Sequence, residues 1–173
     1  MAISLYDLSV RSFLQILGGV EGFLAKGLAH CTEKGLDPNE IVETKLFPDM
    51  APFRFQIVAA AHHSAGGIRG AMAGAFSPPK PAGEDYAALQ KLVSDARASL
   101  EAIKPDEVNG IEGKDVIFSV GDRKIPFKAE DFLMSFSLPN FYFHATTAYD
   151  ILRQKGVPIG KRDFLGKMRI AGA

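Results

Sequence analysis

Apolar residues recur at steps of three and four along three long stretches of the chain, which is the period of a buried helix face. The first stretch fills roughly the first thirty residues, ends before Gly35, and carries Tyr6, Val10, Phe13, Leu17, Val20 and Leu24. The second runs from about Asp49 to Gly74 and carries Val58, Ala61, Ala65, Ile68 and Met72. The third runs from about Glu84 to Ile103 and carries Tyr86, Leu89, Val93, Ala96 and Leu100. Each stretch predicts one helix of a bundle.

Proline and glycine mark where these helices begin, end or bend. Pro38 predicts a short helix over residues 39–45, and Pro52 is tolerated in the first turn of helix two. Gly66, Gly70 and Gly74 lie four apart on helix two, so this face allows close helix packing, with a kink or an early end as the alternative. Residues 77–83 form a proline-rich connector that cannot be helical.

The period changes from helical to alternating between residues 113 and 129. Residues 116–120 and 123–127 flank Gly121-Asp122, which predicts a tight hairpin whose second strand, carrying Pro126, lies at an edge. A fourth helix follows over about residues 130–155, kinked or split at Pro139. The predicted architecture is all-α: a four-helix bundle of residues 1–173 in one domain, with a small β-hairpin inserted before the last helix. Periodicity leaves helix order and handedness open.

Composition narrows the classes of partner. The 20 basic and 20 acidic residues cancel, which argues against a nucleic-acid or membrane-surface partner. The longest uncharged run, residues 132–149, contains Pro139, Asn140 and His144 and is typical of a bundle interior. The single Cys31 cannot form an internal disulfide, and the N-terminus lacks a signal-peptide pattern. We therefore expect a cytoplasmic protein.

The candidate chemistry lies on helix four, where Asn140 and His144 stand one turn apart on an otherwise apolar face. One interpretation is a metal or polar-ligand site inside the bundle, with Tyr149 as a further pocket residue. Another is a neutral buried histidine that is hydrogen-bonded to Asn140, a tyrosine or a backbone carbonyl. Phe141 and Phe143 flank His144 and are expected to keep such a site dry.

Helix two contributes the adjacent His62 and His63, whose side chains diverge by about 100° on a helix. With Val58, Ala65 and Met72 facing inward, His62 lies beside the buried stripe and His63 nearly opposite it. The geometry therefore favours His62 as the inward residue, although a kink at the glycines reverses this choice.

Two other segments look like a cysteine nucleophile and a phosphate-binding loop, but neither has the geometry that such a site needs. Neighbours on a helix do not face each other, so the His30-Cys31 pair is better explained as packing than as a nucleophile. The segment from Gly156 to Arg162 lacks the spacing of a phosphate-binding loop and follows a helix instead of a strand. We expect it to fold back over the bundle, where it is a candidate subunit contact.

Several longer motifs carry a family resemblance. They are Leu138-Pro-Asn-Phe-Tyr-Phe-His144, Leu152-Arg153-x-x-Gly156 and Pro158-x-Gly-Lys-Arg-Asp163, and helix two adds Asp49-Met50 and Gln56 ahead of its histidines. With them, nearly the whole chain resembles the DinB/YfiT-like four-helix-bundle superfamily, and within it an uncharacterised branch known only as a domain of unknown function.

The resemblance implies a possible metal centre and a dimer. Members are often homodimers, and many hold a divalent metal with one histidine of helix two and a His-x-x-x-His pair of helix four; some are thiol-dependent transferases or isomerases. By position, the paired histidines fall on Asn140 and His144, and the helix-two ligand falls on His62 or His63. Because an amide oxygen is a weaker donor than imidazole, the substitution at Asn140 lowers the expected affinity for zinc or nickel.

Two functional hypotheses follow. The first is a homodimer whose central polar pocket, formed by Asn140, His144, His62, His63 and Tyr149, binds a small ligand and lacks a complete metal triad. The alternative is an enzyme such as a thiol-group transferase that uses Zn, Ni or Mn, held by His62 or His63 together with Asn140 and His144.

Overall fold

The computed structural model describes residues 3–79 and 85–171 as helices around one core, with a small sheet at one side. The α-helices are α1 (Leu5–Leu8), α2 (Val10–Lys34), α3 (Asn39–Val42), α4 (Phe53–Ala61), α5 (Gly67–Ala73), α6 (Tyr86–Glu101), α7 (Pro105–Asn109), α8 (Ala129–Asp131), α9 (Leu138–Gln154) and α10 (Lys161–Leu165). A π-helical turn, His62–Gly66, joins α4 to α5, and a second, Phe132–Ser137, joins α8 to α9. The strands are β1 (Ala75–Phe76), β2 (Asp115–Val120) and β3 (Arg123–Lys128).

Four long helical elements form the bundle, which confirms the predicted all-α fold with a small β insertion. They are α2, the continuous α4–α5 element, α6 and the continuous α8–α9 element; α2 and α4 each pack against both α6 and α9. The predicted stripe of α2 is buried from Val10 to Leu24, and Gly35 ends this helix in the left-handed conformation with a φ of 65°. Tyr86 of α6 is buried, and its hydroxyl donates to the Leu24 carbonyl oxygen at 2.9 Å.

The sheet contains the predicted hairpin and one strand that the sequence did not indicate. Strands β2 and β3 are antiparallel around Gly121-Asp122, and β1 adds in parallel on the other side of β2. Phe118 and Phe127 of the hairpin contact Phe136, with ring centroids 4.7 and 5.8 Å apart. The sheet therefore lies against the second π turn.

The C-terminal segment folds back over the bundle, as predicted. Helix α10 packs on α2, where a Cβ at Gly19 would overlap the Phe164 carbonyl oxygen, so the close approach requires glycine. Asp163 pairs with Lys26 at 2.6 Å. Within the described part of the chain, none of the helices is both long and apolar enough to cross a bilayer.

Helix two departs from its prediction in two ways. It begins at Phe53, with Pro52 as the N-cap residue, and not near Asp49. Met72, predicted to be buried, is 40% exposed, whereas Ile68, one turn earlier on the same stripe, is buried; Met72 lies at the end of α5, which Gly74 caps. The predicted start of helix three at Glu84 and residues 80–83 of the connector lie outside the described residues.

Candidate functional site

The two π turns face each other and set the position of the histidines. The Ser137 hydroxyl, on the second turn, donates to the His63 carbonyl oxygen at 2.6 Å, and both residues are buried. A Cβ on Gly67 would overlap the Ser137 hydroxyl, so glycine at this position permits the approach. A π turn frees backbone carbonyls from the α-helical pattern, and here a side chain from the opposite helix satisfies one of them. Such turns are frequent at functional sites.

His144 of α9 is held in one orientation by Gln56 of α4. Its Nδ1 lies 2.7 Å from Gln56 Oε1, and the amide is itself oriented because Gln56 Nε2 donates to the Ala51 carbonyl oxygen at 2.8 Å. An amide oxygen only accepts hydrogen bonds, so Nδ1 of His144 carries the proton and the lone pair of the neutral ring is at Nε2. Burial lowers the pKa of His144 to about 4, which keeps the ring neutral at pH 7.

His63 lies against His144 with almost no contact with solvent. The two rings are near parallel, with centroids 6.0 Å apart, and His63 is 7% exposed. Burial, followed by the neighbouring His144 and His62, lowers the pKa of His63 to about 3. Its Nδ1 is buried without a hydrogen-bond partner, an arrangement that is uncommon in proteins and is often resolved by water, an ion or a ligand.

His62 points away from this pair, which corrects the preference derived from the helical wheel. Its ring stacks on Phe76 with centroids 4.5 Å apart, and Nε2 lies 2.7 Å from the Ser77 carbonyl oxygen. Because the carbonyl accepts, Nε2 carries a proton. The wheel failed because the π turn begins at His62 and changes the angle per residue from this position onward. Burial lowers the pKa of His62 too.

Two other predicted pocket residues do not join the imidazoles. Asn140 Nδ2 donates to the Phe136 carbonyl oxygen at 2.7 Å, one turn earlier in its own helix. Tyr149 packs between Phe23 and Phe164, with ring centroids 6.2 and 5.9 Å away, and so belongs to the contact between α2, α9 and α10. The predicted pocket is thus reduced to His63 and His144, with His62 on its outer side.

The phenylalanines near His144 differ from the prediction. Phe141 is buried against Phe13 in the core, with centroids 5.0 Å apart. Phe143 does flank His144, at 5.3 Å, but is 58% exposed, and Phe55, at 5.7 Å, is 38% exposed. Instead of sealing a dry interior, these two rings border a site that reaches the surface at His144.

The donor set does not fit a three-histidine metal centre. His63 and His144 come from facing helices, and the proton on Nδ1 of His144 leaves its Nε2 free to ligate. The third position holds the Asn140 amide, whose Nδ2 donates to its own helix and whose neutral oxygen is a weaker metal ligand than imidazole. Among residues 3–79 and 85–171, no group of three histidine, cysteine or acidic side chains is arranged to hold an ion.

Sequence reasoning missed Gln56 and Ser137 as parts of the site. Gln56 had a detectable signal: it is the single amide in the apolar run from Phe53 to Ala61 and lies seven residues, or two turns, before His63. Ser137 had none, because nothing local distinguishes its hydroxyl from those of the nearby serines. Only the packing of the two helices places it under His63.

We expect acid to destabilise the fold through these histidines. Below a pH of about 6.5 the unfolded chain protonates His63, whereas the fold keeps it neutral until the pH approaches its pKa of about 3. The contribution of neutral His63 to the free energy of unfolding is therefore complete above pH 6.5 and decreases as the pH falls. Urea unfolding at pH 7 and pH 5 should show a loss of up to ~2 kcal/mol from His63, and a smaller one from the half-exposed His144.

The His63→Gln variant removes one of the titrating groups and should weaken this pH dependence, to which His144 and His62 still contribute. His30→Gln, which removes a histidine far from the π turns, serves as the matched control. An equal loss of stability between pH 7 and pH 5 in wild type and His63→Gln would contradict the assignment.

Comparison with known proteins places this geometry in a family. The family model described as "Domain of unknown function (DUF1993)" matches residues 5–165. A comparison with curated proteins found no match. The chain is similar to the crystal structure of a DinB family member protein from Shewanella denitrificans, with a TM-score of 0.79, 25% identity, and coverage of 98% of this chain and 96% of that one. The chain therefore belongs to the DUF1993 family of domains of unknown function and has a DinB-like fold.

Proposed function

We propose that this DUF1993 protein is a cytoplasmic homodimer that binds a small, uncharged hydrogen-bond donor at the His63–His144 pair. The observation that carries the proposal is the buried Nδ1 of His63, which has no partner although it lies beside a second neutral imidazole. A bound donor would supply a hydrogen bond to a site that otherwise contains an unsatisfied polar atom. The buried, unpaired Cys31 favours a reducing compartment.

The electrostatics of the site favour a neutral ligand over an ion. Both rings are neutral at pH 7, since burial depresses the pKa of each histidine, so neither supplies a charge to attract an anion. The Gln56 hydrogen bond leaves Nε2 of His144 as an acceptor. Phe55 and Phe143 provide apolar faces beside it, which suit an aromatic or otherwise flat molecule.

Phenol is the probe that tests this ligand class, because it combines a flat ring with one hydroxyl donor. We expect phenol to shift the NMR signals of the His63 and His144 rings saturably, and anisole, which has the same ring without the donor, to bind at least about tenfold more weakly. His63→Phe keeps a ring but loses the Nδ1 acceptor, and it should abolish the preference for phenol.

His30→Phe is the matched control and should bind phenol like the wild type. Equal affinities for phenol and anisole, or an unchanged preference in His63→Phe, would refute a hydrogen-bonding role for the imidazole. The absence of any saturable shift at the two rings would refute the site itself.

The exposed rings beside His144 support the homodimer. Phe143 and Phe55 lie on adjacent helices and expose apolar surface beside His144.

Light scattering after gel filtration should give about twice the chain mass of 18.7 kDa. Phe143→Glu places a charge in this surface and should yield monomers, whereas Ile125→Glu, at an exposed position of the hairpin, should not. A wild-type monomer, or a dimer that is insensitive to Phe143→Glu, would count against this interface.

The alternative function is a divalent-metal enzyme, such as a thiol-group transferase, and Nε2 of His144 is the observation in its favour. Because two imidazoles make an incomplete set, we expect well below one ion per chain after incubation with zinc, nickel or manganese and desalting. Mass spectrometry of the metal content, with His144→Ala alongside, measures this. Near one ion per chain, lost in His144→Ala, would overturn the expectation and favour the enzyme.

A further inference from the structure

Two adjoining hollows open along the side of helix two on which the His62 ring lies. One, of about 440 Å³, lies between this helix and α6, and the other, of about 480 Å³, lies between it and the sheet. They share His62, Arg69 and Ser77 in their walls, so we treat them as one groove, the outer groove. Its size is within the range of small-molecule sites.

Arg69 gives the outer groove a positive charge that no described residue neutralises. Its Nη1 donates to the Ser99 hydroxyl oxygen at 2.7 Å, which fixes one edge of the guanidinium. Among the described residues, no carboxylate oxygen lies within 4.0 Å of Arg69, so no ion pair of this part of the chain includes it. Asp95 is the acidic residue in the wall, and it is paired with Lys91 at 2.6 Å. The remaining donors of Arg69 are suited to a bidentate contact with a carboxylate.

The rest of the outer groove is apolar and partly rigid. The ring of His62 is fixed on Phe76 and by its contact with the Ser77 carbonyl oxygen, so it forms a flat wall beside Arg69. The side toward α6 is lined by aliphatic and proline residues, namely Val58, Ala61, Leu92, Ala96, Pro78 and Pro79. A fixed guanidinium at one end of an apolar wall is complementary to a molecule with one anionic group and a hydrocarbon body.

We propose that the outer groove binds a small organic acid, with its carboxylate on Arg69 and its apolar body between helix two and α6. This site is separate from the imidazole pair, because His62 faces the groove while His63 faces His144. The proposal is therefore independent of the proposed function, and neither experiment depends on the other.

Octanoate is the probe. Its comparison is 1-octanol, which has a hydrocarbon chain of similar length but carries no charge. In NMR titrations at pH 7 we expect saturable shifts of the Ala61, Arg69 and Ser77 amides with octanoate and at least about tenfold weaker binding of 1-octanol. Arg69→Gln should weaken octanoate about tenfold or more. Arg69→Lys, which keeps the charge but not the planar fork, should retain part of the affinity.

Arg162→Gln is the matched control, since it removes an exposed arginine of α10, which packs on α2 and does not line the groove, and it should bind like the wild type. Arg69 is itself exposed, so its variants should fold. Equal binding of 1-octanol, full affinity in Arg69→Gln, shifts confined to the side of Phe55 and Phe143, or no saturable binding of octanoate would each overturn the proposal.

Discussion

The hydrogen bond between the Ser137 hydroxyl and the His63 carbonyl oxygen joins helix two to helix four where both depart from α geometry. It requires the helices to be close, and Gly67 provides the space for the serine. A widened turn on one helix thus lies against a widened turn on the other, and one carbonyl oxygen of the first turn accepts from a side chain of the second. His62 and His63 both belong to the first of these turns, so the contact holds the backbone from which their two rings extend.

The first π turn divides two adjacent histidines between two environments. His63 is buried beside His144, whereas His62 lies on Phe76 and borders the outer groove, although the centroids of the His62 and His63 rings are only 5.9 Å apart. The inner pair offers neutral acceptors next to exposed aromatic rings, and the outer face offers a fixed cation beside aliphatic walls. Neighbouring residues of one helix therefore serve surfaces of different chemistry.

The fold was largely predictable because the long helices α2, α6 and α9 each bury an apolar stripe and are followed within a few residues by a glycine or a proline. The stripe of α2 and the strands around Gly121-Asp122 lie where the pattern placed them. Strand β1 was not predicted because its two residues are too few to show a periodic pattern. Helices α7 and α10 were not predicted for the same reason, since each has only five residues. Strand β1 pairs with β2, α7 packs against α1 and α5, and α10 packs against α2, so each depends on tertiary contacts.

By itself the sequence determined which helices form, which face of α2 is buried, and that Asn140 and His144 lie one turn apart on helix four. These properties depend on local period and on hydrophobic burial, which the order of residues specifies directly. Only the tertiary structure decided that His63, and not His62, faces His144, that Gln56 sets its tautomer, and that Asn140 bonds to its own helix. A π turn is stabilised by its neighbours across the bundle, so the rotation that it adds to a helix cannot be obtained from the residues of that helix alone.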